Sequence, residues 1–557
     1  MIIARSLSIA FAGILLISGG SAVAWAQPQA HVDGLTIEST GWRVDAVRIG
    51  FNPLSEMLLV AGLGGDISSI DPSPSNERVT LRYRNSDHGA PVPLMGMAIA
   101  SDGTIYLVGN DAGSSPGNNI GVVRRGVPDG QGGHIWETVA TTEPYPRSAT
   151  PFDHNVNAIV LSPDETELYL NSGSRTDHGE VQDNNGQFPG VREVPLTSAI
   201  LRIPATATDL VLPNDEQSLL QGGYLFADGT RNTFSLAFDG VGRLFGTENS
   251  GDRDDEEELN LIEEGRHYGF PWRMGMTDTP MQFPGYDPSS DLLLNGSAIA
   301  VQSGFFYDDP SYPLVPDGVT FTDPVLNLGP DADLYRDPAS GTILDASDTG
   351  RPMGTFTAHR SPLGLVFDVN QLLPPPYSGD GFMLSWTGGE SGLLGPYAGE
   401  GEDLMHLTFE DGDTGPAVRV ERLVSGFLNP IDAVQVGQAL YVLEFGSGAR
   451  VWRIGFGSST ASEGSGDTSI PTGPVVDIWP NPAAGMQRAR IQAARTGRIQ
   501  ATLVNSTGQE LRTVLDTWLV QGQSLDIPLE TQSLSRGVYF LVVRAPGARR
   551  AHSLVIQ

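Results

Sequence analysis

Neither cysteine nor lysine occurs anywhere in the 557 residues. Without cysteine there is no disulfide, no thiolate zinc site and no c-type haem attachment, which leaves metal ions as the available cross-links. Without lysine there is no Schiff base, no phosphate-loop lysine and no lysine general base, and all 33 basic residues are arginine. Positive charge is scarce overall: 66 acidic residues give a net charge of −33, which argues against nucleic acid as a partner. Carboxylates in such numbers also keep a protein soluble in brine, so the bulk acidity names no function. Beyond the N-terminus no stretch approaches the roughly eighteen apolar residues of a membrane span, so no transmembrane segment is expected in the mature protein.

The N-terminus itself, MIIARSLSIAFAGILLISGGSAVAWAQ, combines one arginine, an apolar run and the small-x-small triplet Ala24-Trp25-Ala26. It reads as a secretory signal peptide, residues 1–26, cut after Ala26.

Helical periodicity is scarce after that point, and Gly and Pro are frequent. Instead one unit recurs six times between about residues 40 and 454: an apolar run, a turn with Asp, Asn or Gly, and a second apolar run. MGMAIASDGTIYLVGND (95–111), NAIVLSPDETELYLNSG (157–173) and FSLAFDGVGRLFGTENSG (234–251) are three of the copies. Six hairpin-centred repeats predict an all-β chain whose residues 27–454 form a six-bladed β-propeller, with function in the loops at one end of the channel. Residues 455–474 are rich in Gly, Ser and Thr and read as a linker. Residues 475–557 carry nine Arg against five acidic residues and alternate like a small β-sandwich.

Three places carry residues suited to chemistry. His154 stands just before the third hairpin, where an imidazole can act as a base at neutral pH. Arg231 and Asn232 hold the corresponding place before the fourth, a guanidinium fork and an amide that suit an anionic ligand. The segment ENSGDRDDEEE (248–258) packs seven carboxylates into eleven positions. Its oxygens suit Ca²⁺, although the spacing is not that of an EF-hand loop. The bland alternative is a solvated acidic loop, since adjacent carboxylates repel one another unless hydrated or bound to cations.

Two resemblances follow from these motifs. WPNPAAG (479–485), LVNSTGQEL and LSRGVYFLVV (534–543) resemble the type IX secretion sorting domain, which implies export to the medium or cell surface through that machinery. HNVNAIVLSPD, RNTFSLAFDGVGRLFGTEN, ELNLIEEGRHYGFPW and AHRSPLGLVFD resemble the soluble glucose/sorbosone dehydrogenases over roughly residues 40–454. That resemblance implies a six-bladed propeller that binds pyrroloquinoline quinone (PQQ) and Ca²⁺ and oxidises a sugar or polyol. It makes His154 the general base, and Arg231 and Asn232 contacts of the cofactor. It sets Ser250 and Gly251 at the cofactor's calcium, and Glu258 and Asp278 at a structural calcium. Three departures stand against it: no lysine for the cofactor, Ser174 near the place of the acid that orients the base, and no Arg pair in SWTGGESGLLGPYAGEGEDLMHL. Arg175, Arg351 and Arg360 are the candidates to replace the missing cations. The alternative is a non-catalytic propeller that binds carbohydrate or a surface partner.

Overall fold

The computed structural model describes residues 27–73, 78–388, 397, 401–411, 416–446 and 448–457, and, in the C-terminal part, 475–479, 487–493, 496–505, 510–520, 523–529, 537–545 and 548–556. Residues 1–26, read as a signal peptide, and 458–474, most of the stretch read as a linker, lie outside the described residues. The chain divides near Gly457 into two compact units.

The first unit is a six-bladed β-propeller. Its sheets follow one another in chain order, each built from consecutive antiparallel strands. Arg48–Asn52 opens the first blade, Leu94–Ile99 the second and Val156–Leu161 the third; Thr233–Phe238, Pro362–Phe367 and Pro430–Val436 open the rest. These opening strands neighbour one another from the first blade to the fifth. A Cβ on Gly364 would lie 3.3 Å from the Cα of Asp432, which brings the sixth beside the fifth. The backbone N–H of Ile49 donates to Asp432 Oδ2 at 2.9 Å, which returns the ring to the first blade. Closure is reinforced at the rim, where Leu35–Arg43 from the start of the chain pairs with Arg450–Phe456 as the outer strand of the last blade.

The Asp or Asn that recurs at the turn after the opening strands of the first five blades has a local cause. Asn52 Oδ1 accepts from the N–H groups of Leu54 and Ser55. Asp102, Asp164, Asp239 and Asp368 accept in the same way from the N–H groups two to four residues on. Each is a side-chain-capped turn that fixes hairpin length, and with it which residues face the neighbouring blade. Apolar side chains fill the wedges so defined, as Leu59, Ile67, Leu94 and Leu107 do between the first two blades.

One guanidinium ties four blades together. From the first blade, buried Arg48 donates to the carbonyls of Met95 (2.7 Å), Asn157 (2.8 Å) and Phe234 (2.8 Å). Its carbon lies 4.1 Å from the centre of the Phe234 ring. Asp432 of the sixth blade supplies the counter-charge, and burial holds its pKa up at about 6.

Blade four has three strands, and the chain makes a long excursion before the fifth that includes two short hairpins, Arg273–Met274 with Thr277–Asp278 and Leu334–Arg336 with Ile343–Asp345. The second unit is a β-sandwich: Val475–Trp479, Gln487–Gln492 and Ser524–Leu529 form one sheet, and Gly497–Asn505, Glu510–Leu519, Gly537–Ala545 and Ala548–Ile556 the other. Ile491, Ile527, Ile499, Leu503 and Leu541 share its core. Among the described residues no helix is long and apolar enough to cross a membrane.

Replacing Arg48 by Met removes the donor for three carbonyls and strands Asp432. The expected loss is about 3–5 kcal/mol in denaturant unfolding, and a loss below about 1 kcal/mol contradicts the central role given to this side chain.

Candidate functional site

A cavity of ≈ 710 Å³ opens where loops of the second to fifth blades converge. Its wall includes Met95, Asn157 and Phe234, the residues whose carbonyls Arg48 holds, so the buried guanidinium underlies the cavity. His154, Arg231, Asn232, Ser250 and Gly251 all line it. Glu258 and Asp278 do not.

His154 is fixed by its neighbour across the third hairpin. Nδ1 lies 3.1 Å from the carbonyl oxygen of Ser174 and 3.2 Å from its hydroxyl. The Ser174 hydroxyl spends its own proton on Thr176 O at 2.8 Å. Nδ1 therefore carries the ring proton and Nε2 the lone pair. Burial, then Arg231, pushes the imidazole down to about 3, so it is neutral at physiological pH. Ser174 thus fixes the orientation and tautomer of the imidazole with neutral atoms alone. Gly173 permits the approach, since a Cβ there would meet His154 Cβ at 2.5 Å.

Three of the five N–H donors of the Arg231 guanidinium are taken up within the fold. Nη2 donates to Asp177 Oδ1 at 2.9 Å, Nε to Asp177 O at 2.8 Å and Nη1 to Asn249 O at 3.1 Å. Asn232 takes its orientation from a chain of amides: Asn171 donates to Asn157 at 2.9 Å, and Asn157 to Asn232 Oδ1 at 2.7 Å. The Asn232 NH₂ is left as the donor that the cavity sees. Asp177 and the Asn157–Asn171 pair escaped the motif reading, because neither forms a pattern along the chain.

The acidic segment is neither a metal cage nor solvated skin. Residues 253–258 are all buried, the last two at 1% exposure. Asp254 meets Arg336 and His359, Arg253 meets Asp255 and Asp291, and Glu256 meets Arg351 and the N–H of Gly354. Glu257 accepts from the N–H of Ser361 at 2.7 Å. The segment binds the excursion to the fifth blade through internal ion pairs, which replaces the expected hydration.

Of the residues expected at the two calcium positions, Ser250 and Gly251 line the cavity, while Glu258 and Asp278 lie away from it. Glu258 is buried opposite Glu248 in the strand register, and its oxygens accept from Gly275 N and the Asn260 amide, both at 2.7 Å. Asp278 is exposed on the hairpin that follows. Among the described residues no three His, Asp or Glu side chains are grouped to hold a metal ion. Ser250 Oγ is buried without a hydrogen-bond partner among them.

The candidate replacement cations do not reach the cavity either. Arg175 is fully buried and donates to five carbonyls, those of Pro146, Arg147, Gln182, Val191 and Arg192. Arg360 grips both oxygens of Asp403 at 2.7 and 2.6 Å, and Arg351 pairs with Glu256. Arg147 and Arg231 are the two arginines of the wall, and three carboxylates, Asp153, Asp252 and Glu257, stand with them. Arg147 lies 3.7 Å from Asp153, and Arg231 is held by Asp177. The undescribed stretches 389–396 and 398–400 contain no basic residue. PQQ brings three carboxylates that need cations. This wall does not fit it.

Burial raises the carboxyl groups of Asp153, Glu248 and Glu257 to about 7 and those of Asp252 and Asp255 to about 6. Each holds its proton more tightly folded than unfolded, so its stabilisation is complete near pH 4 and is lost as pH rises through 6 to 7. His154 and His267, lowered to about 3 and 4 by burial, act oppositely and cost stability below their unfolded pKa. Five carboxyl groups outweigh two imidazoles above neutrality. The melting temperature is expected to fall by about 2–4 °C between pH 6 and pH 8, and less in Glu257→Gln; a rise over that interval contradicts the account.

Residues 58–282 match the family model described as glucose/sorbosone dehydrogenase, and residues 477–557 match that of the secretion system C-terminal sorting domain. No curated protein gives a significant match. Among solved structures, the chain is similar to a putative oxidoreductase (glucose dehydrogenase) from Thermus thermophilus, with 19% identity and a TM-score of 0.45 over 76% of this chain and 100% of that one. It is similar to the PQQ-bound aldose sugar dehydrogenase of Streptomyces coelicolor, with 18% identity and a TM-score of 0.41 over 77% and 99%. The calcium structure of the Trichoderma reesei family AA12 protein gives 16% identity and a TM-score of 0.46 over 79% and 99%. The chain is thus similar to the glucose/sorbosone dehydrogenases over residues 58–282 and to the secretion system C-terminal sorting domain over residues 477–557.

Proposed function

We propose that the protein is exported through its sorting domain by the type IX machinery and that its cavity takes up a neutral sugar or polyol. The observation that carries this reading is the charge state of the wall: both its arginines face carboxylates, while amides and rings supply the free surface. Asn155, Asn184, Gln187 and Asn232 offer planar donors and acceptors for hydroxyl groups, and Trp386 and the Phe234 face away from Arg48 offer apolar surface for the C–H side of a sugar ring. His154 Nε2 accepts a hydrogen bond from one ligand hydroxyl.

A second reading keeps the redox chemistry that the domain's family implies, with PQQ as hydride acceptor and Ca²⁺ beside it. It is favoured by the neutral imidazole of His154 standing with Arg231 and Asn232 in one cavity. The unfit wall argues against it, and no step is derived through the quinone.

Calorimetry on the secreted chain with neutral aldoses and polyols is expected to show saturable binding that Asn232→Leu weakens about tenfold, the effect of one lost hydrogen bond in a dry site. PQQ with Ca²⁺ is expected not to bind at about 10 μM. Micromolar quinone binding, with sugar-dependent dye reduction that His154→Ala abolishes, would instead establish the dehydrogenase.

A further inference from the structure

Asp177 lies in the loop after the second strand of the third blade, and its side chain has no exposed surface. Four donors converge on the residue. Arg231 reaches its carboxylate at 2.9 Å and its carbonyl at 2.8 Å. The backbone N–H of Asp252 is shared by the two carboxylate oxygens at 3.1 and 3.3 Å. His178 Nδ1 stands 2.9 Å from Oδ2. Gly251 is needed between them, because a Cβ there would lie 3.0 Å from Asp177 Oδ2.

The far side of this carboxylate is dry. The His178 ring stacks on Phe306 with centres 3.9 Å apart, and its Nε2 faces Met281 Sδ at 3.0 Å and Phe305 O at 3.2 Å. Burial opposes ionisation of Asp177, but the neighbouring His178 and Arg231 hold its pKa below the usual range. Arg231 therefore meets a full negative charge 2.9 Å away, on the side away from the ligand. At such a distance in a poorly hydrated site the pair is close to neutral as seen from the cavity.

We infer that Asp177 is a specificity-determining residue: by cancelling the charge of Arg231 at the cavity wall, it makes the cavity accept uncharged polyols and turn away their carboxylate counterparts. The inference rests on the reading of the cavity as a sugar site. It also explains how an arginine can stand in the wall without making an anion site of it. Among the described residues Asp177 supplies the one carboxylate hydrogen-bonded to the Arg231 guanidinium: Asn249 supplies only a carbonyl, while Asp252, whose carboxylate turns to Ala300 N at 2.6 Å, and Glu257 act on Arg231 through space alone.

Glucitol and gluconate differ at one end, a hydroxymethyl group against a carboxylate, and serve as paired probes in calorimetry. The wild-type chain is expected to prefer glucitol by at least about tenfold. Asp177→Asn keeps the shape and removes the charge. It is expected to bind gluconate at least about tenfold tighter than the wild type, with glucitol changed by less than about threefold. A folded Asp177→Asn chain with no gain for gluconate, or with both ligands weakened alike, overturns the inference, because a purely structural role predicts that pattern. If Asp177→Asn does not fold, the double variant Asp177→Asn with Arg231→Met removes both charges at once. It should keep the wild-type preference, and a folded double variant that favours gluconate overturns the inference. If the wild type binds no neutral sugar, the sugar reading falls, and the gain for gluconate in Asp177→Asn alone decides the role of Asp177.

Discussion

A guanidinium taken out of water needs protein acceptors in place of its hydration, and this propeller is organised by that demand. Arg48 meets it with carbonyls of three blades, and the ring of opening strands is fixed around one side chain. Arg175 meets it with five carbonyls of the loops beside the cavity, Arg231 with Asp177 and Asn249, and Arg360 with Asp403. Lysine, with one compact charge, cannot tie several strands in this way. The same commitment decides the chemistry of the cavity. Cations that hold the fold together are not available to a bound anion.

The acidic loop follows the same logic with the sign reversed. Seven carboxylates in eleven residues repel one another in water, but the fold distributes them among Arg336, Arg351, Arg253, His359 and backbone N–H groups. Those without a cation, such as Glu257, hold their protons to near-neutral pH. Buried ion pairs of this kind add little net stability over apolar packing, yet breaking one is costly, so they act as fixed joints. The joint here lies between the fourth blade, the excursion and the fifth blade, where the cavity wall is completed by His359, Ser361 and Trp386.

The blades were legible because each hairpin writes its own signal: two apolar runs around a short turn, capped in the first five blades by an Asp or Asn side chain. The sandwich was legible from its alternation. His154, Arg231 and Asn232 were found through a block of motif in which loop and strand are contiguous, and the fold sets all three on one wall. What the sequence concealed is long-range pairing. Nothing along the chain links Asp177 to Arg231, Asp254 to Arg336 or Glu256 to Arg351, separations of 54, 82 and 95 residues. Calcium was therefore the leading expectation for the acidic run and solvation the alternative, and the burial of residues 253–258 overturns the solvation. Glu258 and Asp278, twenty positions apart, read as one calcium site, but the hairpin between them turns Asp278 outward while Gly275 and Asn260 occupy Glu258.

The family match over residues 58–282 and the charges of the cavity thus point in different directions, and the arginine pairs are where they part. The most direct measurement is a crystal structure of the propeller soaked in turn with glucitol and with PQQ plus Ca²⁺. The account predicts polyol density against Trp386 and Asn232 with Arg231 still on Asp177, and no ordered quinone. A planar tricyclic ligand in the cavity, with Arg231 drawn off Asp177 onto its carboxylates, would contradict it.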